Sequence, residues 1–497
     1  MGQRNRQSLE QSDLYKHGHF SLVISLALAL LFLFNSYQVS SQSWSIGFVS
    51  LTIIYTIISI YQIMLIYLLR NDLLRNGEIQ RRTRILGSVQ LLSLLVGNVF
   101  TVTFAFRLLK TESSINYTFA YYLFITDFLV IGVTLLNLFK PYVSNHFILL
   151  MGILIALLLI DIIVIIFLIK YDQQLNQFKK SMKWLAVFLL ITSLTGNIFR
   201  IILGYSLWLQ NSKQDQASID KWYFFWVKLN KSFTAMIGLL FITFTLSISI
   251  TSHGTFVTSF ATANNYGDLL MEPSLVHPFG TDNFGRDVFS RIIFGARISL
   301  LIGLLTTLIP LVVGGILGAL AGYYNHAIDQ TIMRFLDILY AIPGILLAIA
   351  IIAAFGSSTV NLVIALSIGS IPTYARTMRA NILMVANLDY IEAAKALGES
   401  DWVILIKHAI PNAFAPMIVR ATLTIGSAVI ATGSLSFLGL GVEPHVPEWG
   451  NVLRIGSSYL ETEPYLAIFP GLAIILLVLA FNFFGDGLRD ALDPKVN

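Results

Sequence analysis

The stretch richest in chemistry is short, polar and late in the chain. Residues 387–412 read Asn-Leu-Asp-Tyr-Ile-Glu-Ala-Ala-Lys-Ala-Leu-Gly-Glu-Ser-Asp-Trp-Val-Ile-Leu-Ile-Lys-His-Ala-Ile-Pro-Asn. Local rules predict helix–turn–helix. Asp389 caps a first helix, with Glu392 as its reciprocal partner. Ala393, Ala394, Lys395, Ala396 and Leu397 are good helix formers. Gly398 suits the left-handed residue that ends a helix, a conformation that costs other residues about 1–2 kcal/mol. Ser400 or Asp401 opens a second helix, which must stop before Pro411. Trp402, Leu405, Ile406 and Ala409 form its apolar stripe at helical spacing. A stripe on a polar loop must bury itself against either the bilayer surface or a partner protein. Each such side chain contributes roughly 1.5–3 kcal/mol. This is docking chemistry rather than catalysis.

A second group is ionisable and set in apolar surroundings: Asp127, Asp161 and Arg200. Charges at that depth pair with one another or line a wet path. Both readings stay open: an ion or ligand path, or a buried ion pair that holds helices together. Other chemistry is excluded. The chain has no cysteine, so thiolate metal sites, Cys nucleophiles and disulfides are absent. No Gly-Lys dipeptide occurs, so there is no Walker A phosphate loop. No metal site is expected.

These residues must be positioned by membrane helices. Of 497 residues, 56% are hydrophobic and 12% charged, and mean hydropathy is +0.75. Such figures exclude a soluble enzyme, a disordered chain and a nucleic-acid binder. The net charge of +5 fits basic cytoplasmic loops. The predicted fold is all-α and polytopic. Twelve segments reach the length that spans a bilayer: 20–39, 46–69, 85–109, 117–139, 147–169, 184–209, 233–250, 296–321, 335–354, 359–380, 415–438 and 465–485. The first follows Arg4, Arg6 and Lys16, and Val39 and Ser41 imitate a signal-peptidase site. A matching helix later in the chain favours a retained span. Residues 1–210 form one module, 211–232 an interfacial linker and 233–497 a second module. The linker carries Trp222, Tyr223, Phe224, Phe225 and Trp226, which suit headgroup level or simply the entry to the next span. Gly314, Gly318 and Gly322 recur every four residues, a face for close packing against the chain's own bundle or a partner. Pro310, Pro343, Pro372 and Pro470 can kink spans.

Gly97-Asn98-Val99-Phe100 resembles Gly196-Asn197-Ile198-Phe199 at an offset of 99 residues. Each follows a basic loop, 70–84 or 170–183. Two inverted three-helix repeats are expected. That topology puts 1–19, 70–84, 140–146 and 210–232 inside with thirteen Lys and Arg, and 40–45, 107–116 and 170–183 outside with six. The N- and C-termini and loop 387–412 fall inside. Loops 251–295 and 439–464 fall outside. Glu443, Glu448, Glu461 and Glu463 in the latter either dock a partner or are merely solvated.

Glu392-Ala393-Ala394, Gly398 and Ile410-Pro411-Asn412 resemble the EAA loop of permease subunits in bacterial ABC importers. The resemblance covers roughly 230–497. Further stretches narrow it: His277-Pro278-Phe279-Gly280-Thr281-Asp282, Gly285-Arg286-Asp287-Val288, Gly295-Ala296-Arg297, Ser434 to Gly441, Trp449-Gly450-Asn451 and Gly485 to Pro494. Together they are similar to C-type (OppC/DppC-like) subunits of dipeptide and oligopeptide importers. The resemblance implies a type I importer permease fold of six helices, here preceded by about six extra transmembrane helices. It implies a bacterial cell-membrane location, a second permease, two cytoplasmic ATPases, an extracellular binding protein and a peptide substrate. It implies no cofactor on this chain, with ATP hydrolysed by the partner subunits, and therefore no enzyme activity of its own. Glu392, Ala393, Ala394, Gly398, Pro411 and Asn412 would couple to the ATPases. His408 suits this branch and is not read as a metal ligand. Nickel or another small solute remains open as cargo. The alternative class is a self-sufficient, ion-coupled secondary transporter, for which twelve spans and buried acids speak. A non-transporting scaffold is a third.

Overall fold

The computed structural model describes residues 13–34, 36–38, 43–109, 114–171, 179–211, 216–443 and 445–493. Arg4, Arg6, Val39, Ser41 and Pro494 lie outside the described residues. Regular structure among the described residues is helical apart from a ribbon in which Tyr37 pairs with Trp44 and Gln38 with Ser43, and an isolated bridge between Thr281 and Asp287. The chain divides into two compact units, Met1–Tyr121 and Tyr122–Asn497.

The first unit contains α1 (Asp13–Phe34), α2 (Ile46–Asn76), α3 (Arg81–Ser88) and α4 (Val99–Leu109). Segment 85–109 is expected to be one span, but it doubles back. A 3-10 stretch, Val89–Val96, follows α3, and Gly97 then turns the chain in the left-handed region, at φ 76°. On the return, α4 lies beside α3. A Cβ on Gly87 would fall 2.4 Å from Leu108, and Ser93 Oγ meets Thr101 Oγ1 at 2.5 Å. Tyr61 donates to the Leu86 carbonyl at 2.8 Å and Tyr55 to that of Val96 at 2.9 Å, which holds the hairpin against α2.

The second unit opens with the same device. α5 (Ile115–Leu135), in which the unit boundary falls, and α6 (Phe147–Tyr171) are followed by α7 (Lys179–Thr192) and α8 (Ile198–Asn211). Between the last two, Ser193–Thr195 is a 3-10 turn and Gly196 has φ 87°. A Cβ on Gly204 would lie 3.1 Å from the Ala186 carbonyl, so α7 and α8 run side by side in opposite directions. Segment 184–209 is thus a helical hairpin and not a span. Hydropathy measures how apolar a segment is, but not whether it reverses. The expected inversion required three crossings per repeat, and it does not hold.

The expected linker is largely a helix, α9 (Gln216–Lys231). Then come α10 (Phe233–Thr255), α11 (Val288–Tyr323), α12 (His326–Tyr340), α13 (Gly344–Phe355), α14 (Thr359–Val385), α15 (Asp389–Ala396), α16 (Ala415–Phe437), α17 (Trp449–Ser457) and α18 (Tyr465–Leu492). Among the described residues eight helices are long and apolar enough to cross a membrane, or nine if α12 and α13 count as one span bent by 80°. Pro343 stands at that bend, whereas Pro310, Pro372 and Pro470 sit within continuous helices. α14 has the length but carries Asn361, Arg376, Arg379 and Asn381. Arg379 forks onto Asp329 at 2.5 and 2.6 Å, and Arg376 reaches Asp337 at 2.6 Å, so both fasten α14 to α12.

The second unit has two distinct ends. α11 has 36 residues, or about 54 Å at 1.5 Å per residue, well beyond the ~30 Å hydrocarbon core. Its start adjoins 256–287 and its end adjoins loop 387–412, where Tyr323 donates to Asp401 at 3.1 Å. Loop 140–146 belongs to the first end. Lys140 Nζ is 2.7 Å from Asp287 Oδ2, and Tyr142 meets Ser259 at 3.0 Å. Loops 140–146 and 251–295 therefore share a side, contrary to the topology expected from the sequence. The cause is the α7–α8 hairpin, which removes one crossing between them.

Candidate functional site

Loop 387–412 adopts the expected helix–turn–helix, with changes in detail. Asp389 is not the cap. Leu388 holds that position without a side-chain bond, and Asp389 is the first helical residue. The end of α15 is a Schellman turn. Gly398, at φ 83°, donates its N–H to the Lys395 carbonyl at 3.0 Å, and Glu399 donates to Ala394 at 3.2 Å. A Cβ on Gly398 would meet nothing within 4 Å, so the requirement there is backbone conformation and not space.

The second helix does not stop before Pro411. It opens at Asp401–Val403, widens into a π turn over Ile404–Ala409, and continues through Pro411 to Ala413. Proline lacks an N–H and its ring strikes the carbonyl four residues back in a regular helix. The wide turn, in which Ile410 N–H reaches the Leu405 carbonyl, relieves that conflict. It also rotates the register, and the expected stripe splits. Leu405 and Ala409 are buried with Ile404, Ile391 and Ala394 against Tyr374, Met378, Ile382 and Met417. Trp402 and Ile406 point away, 57% and 44% exposed, beside Leu397 at 85%. Three large apolar side chains are thus exposed on a polar loop that is itself seated on the bundle.

Glu392 and Ala393 are exposed on α15, and Ala394 is buried beneath them. Asn412 donates to the His408 carbonyl at 2.7 Å, and Phe414 separates this turn from α16, with Pro416 in its first turn. Sequence reasoning missed three ties. His408 Nε2 lies 2.9 Å from Glu399 Oε2, closing the two helices on each other. Tyr323 bonds Asp401, and Lys395 lies 5.4 Å from the Tyr323 ring centroid. The last two join residues about 70–80 positions apart, which no local pattern reveals.

The other expected residues fall elsewhere. Gly314, Gly318 and Gly322 face α14 of the same bundle, where added Cβ atoms would lie 2.8 Å from the Ile371 carbonyl, 2.2 Å from that of Ala375 and 2.8 Å from that of Arg379. Asp127, Asp161 and Arg200 do meet. Arg200 Nη2 donates to Asp127 Oδ2, and to Asp161 Oδ2 at 3.0 Å, with all three residues buried. Asn197, at the hairpin tip, donates to Asp127 Oδ1 at 2.7 Å and to the Leu123 carbonyl at 3.1 Å. Glu448 is no docking acid. It is buried, caps α17 by accepting from Asn451 N at 3.1 Å, and accepts from Ser299 at 3.3 Å. Burial pushes its carboxyl above the usual range.

The stretch 277–288 is a structural frame at the far end of α11. Asp287 caps α11 through Ser290 N at 2.8 Å and meets His277 Nδ1 at 3.0 Å. Burial acts to raise its carboxyl, but the bonds to His277 and Lys140 outweigh it and hold it low. Asp282 accepts from Arg286 Nε at 2.8 Å. Gly295 leaves room for Trp449, whose indole donates to the Ile292 carbonyl at 2.9 Å.

Comparison with known proteins gives this geometry its context. Residues 314–497 match the family model described as "Binding-protein-dependent transport system inner membrane component". The glutathione transport system permease protein GsiD of Pectobacterium atrosepticum is 44% identical over 285 residues, 57% of this chain and 94% of that protein. The dipeptide transport system permease protein DppC of Alkalihalophilus pseudofirmus is 42% identical over 284 residues, 57% of this chain and 93% of that one. A solved chain of the MetNI methionine ABC transporter, inward facing, superposes loosely, with TM-score 0.35 at 20% identity over 41% of this chain and 97% of that chain. The chain therefore belongs to the family of binding-protein-dependent transport system inner membrane components, as a multi-pass C-type (OppC/DppC-like) permease of the peptide ABC importer kind with additional N-terminal helices.

Proposed function

We propose that this chain forms half of the translocation pathway of an ATP-driven importer of small peptides in a bacterial cell membrane. Its partners are a second permease, two cytoplasmic ATPases and an extracellular binding protein. ATP is hydrolysed by the ATPases, and this chain binds no cofactor. Glu392, Ala393, Ala394, Gly398, Pro411 and Asn412 shape the coupling loop. The observation that carries the reading is the exposure of three large apolar side chains, Leu397, Trp402 and Ile406, on a loop whose buried residues are locked into the bundle. A seated loop transmits a push, and large apolar side chains exposed on it call for a partner to cover them. Lys179, Lys180, Lys183, Lys221, Lys228 and Lys231 join this end of the second unit, which favours the cytoplasm there and the outside for 140–146 and 256–287. The C-terminus lies on the cytoplasmic side with them. We place the join between added helices and importer module at 211–232, with residues 1–210 as the extension.

The test is a mild-detergent pull-down of tagged chain from native membranes, read by mass spectrometry. Recovery of a second permease and ATPases is expected. Recovery of the chain alone, from a preparation that keeps other ABC complexes intact, would move the reading to a secondary transporter.

A further inference from the structure

We infer that a cleft at the end of the bundle away from the coupling loop is an entry subsite for the carboxylate end of a small peptide. The inference rests on the importer reading. The cleft has a volume of about 530 Å³, within the range of small-ligand sites and far larger than one protein side chain needs. Arg286, Arg454 and His445 line it, together with Asn264, Asn283 and Asn451. No acidic side chain lines it among the described residues.

Charge behind its wall, where Asp282 and Arg291 lie, is unbalanced. Two buried guanidiniums, Arg286 and Arg291, share one carboxylate, Asp282, at 2.8 and 3.7 Å. Arg286 Nη2 has no partner, and neither has the buried Asn283 Oδ1. A buried unpaired group costs roughly 1–3 kcal/mol, more when charged, so the wall is poised for a ligand that supplies what is missing. The missing pieces are an anionic acceptor for the arginine and an N–H donor for the asparagine. A peptide end carries both, a carboxylate and an amide N–H. Arg286 is held in place by stacking on Phe284, 4.5 Å from the ring centroid. Arg454 is exposed and has no acidic partner among the described residues, so it can close over the carboxylate from the rim. Phe284, Ile455 and Tyr459 give the side chains an apolar wall.

The test uses the full chain in lipid nanodiscs and saturation-transfer NMR with the dipeptide Ala-Phe and its C-terminal amide. The free acid should bind at least tenfold more tightly than the amide. Arg454→Gln should weaken the acid about tenfold and leave the amide unchanged. Arg286→Gln should do the same, and if that buried change prevents folding, the exposed Arg454→Gln decides. Equal binding of acid and amide, or an unaltered Arg454→Gln, would overturn the proposal. So would acetate displacing the dipeptide at equal concentration, which would mark a bare anion site. A dipeptide that fails to bind, with Arg454→Gln instead weakening capture of the binding protein, would assign the cleft to an acidic side chain of that protein and also overturn it. Capture of ATPases without peptide binding refutes the cleft alone. Peptide binding without ATPases refutes the importer reading alone.

Discussion

The two helical hairpins, 81–109 and 179–211, are built alike and filled differently. Each turns at a left-handed glycine followed by a fully buried asparagine, Asn98 or Asn197. Each asparagine reaches back to the first helix of its set, Asn98 to Ser25 Oγ at 2.8 Å and Asn197 to Asp127 at 2.7 Å. Around the first tip the polar network is neutral. Gln62 donates to Ser21 at 2.8 Å, Gln90 donates to Gln62, and Ser93 pairs with Thr101. Around the second it is ionic. At the 99-residue offset Asp161 stands where Gln62 does, and Arg200 where Thr101 does. The hairpin therefore does not require charge. The ion cluster is an addition to a device that a neutral network also holds, and its removal should be felt in a different way.

The largest effect should come from Arg200→Met, which strands two buried carboxylates and should cost about 3–5 kcal/mol. Gln62→Leu at the matching place should cost only about 1–3 kcal/mol. Unfolding in lipid nanodiscs measures both, and equal losses would break the contrast. Next, adding Asp127→Asn and Asp161→Asn to Arg200→Met should recover part of the loss, because the stranded charges go with it. Strictly additive losses would refute the ionic coupling.

Smaller effects separate the two turns. Gly196→Ala adds a Cβ 2.9 Å from Ser247 Cα, on top of left-handed strain. Gly97→Ala meets nothing within 4 Å, so only the strain of about 1–2 kcal/mol remains. Gly196→Ala should thus lower the melting temperature more, and the reverse order would mean the tips are packed differently. Gly398→Val has the same open surroundings as Gly97. It should cost the left-handed strain of about 1–2 kcal/mol or somewhat more, since valine is β-branched, leave the chain in the membrane and yet abolish peptide uptake, and normal uptake in that variant would sink the coupling reading of the loop.

Loop 387–412 is legible where signals are local. Gly398 and Ser400 mark its turn, and the structure follows them. The stripe was half legible, because a regular period cannot foresee the π turn that Pro411 imposes. The hairpins look like spans in the sequence because both limbs are apolar. Yet the signal was there: Gly-Asn inside an apolar run is a turn dipeptide. Contacts such as Lys140 with Asp287, 147 positions apart, leave no local trace. The residues behind the cleft are legible as motif and not as geometry, since Asp282 gains its two arginines only on folding.

A hairpin that enters and leaves from one side has a consequence for how such a protein can be lengthened. Two crossings plus one such hairpin make an even count. The chain is handed on at the face where it was received. A block of this kind can be placed ahead of an importer module, once or twice, without turning that module upside down. Three true crossings could not be added singly, because each copy would invert everything downstream.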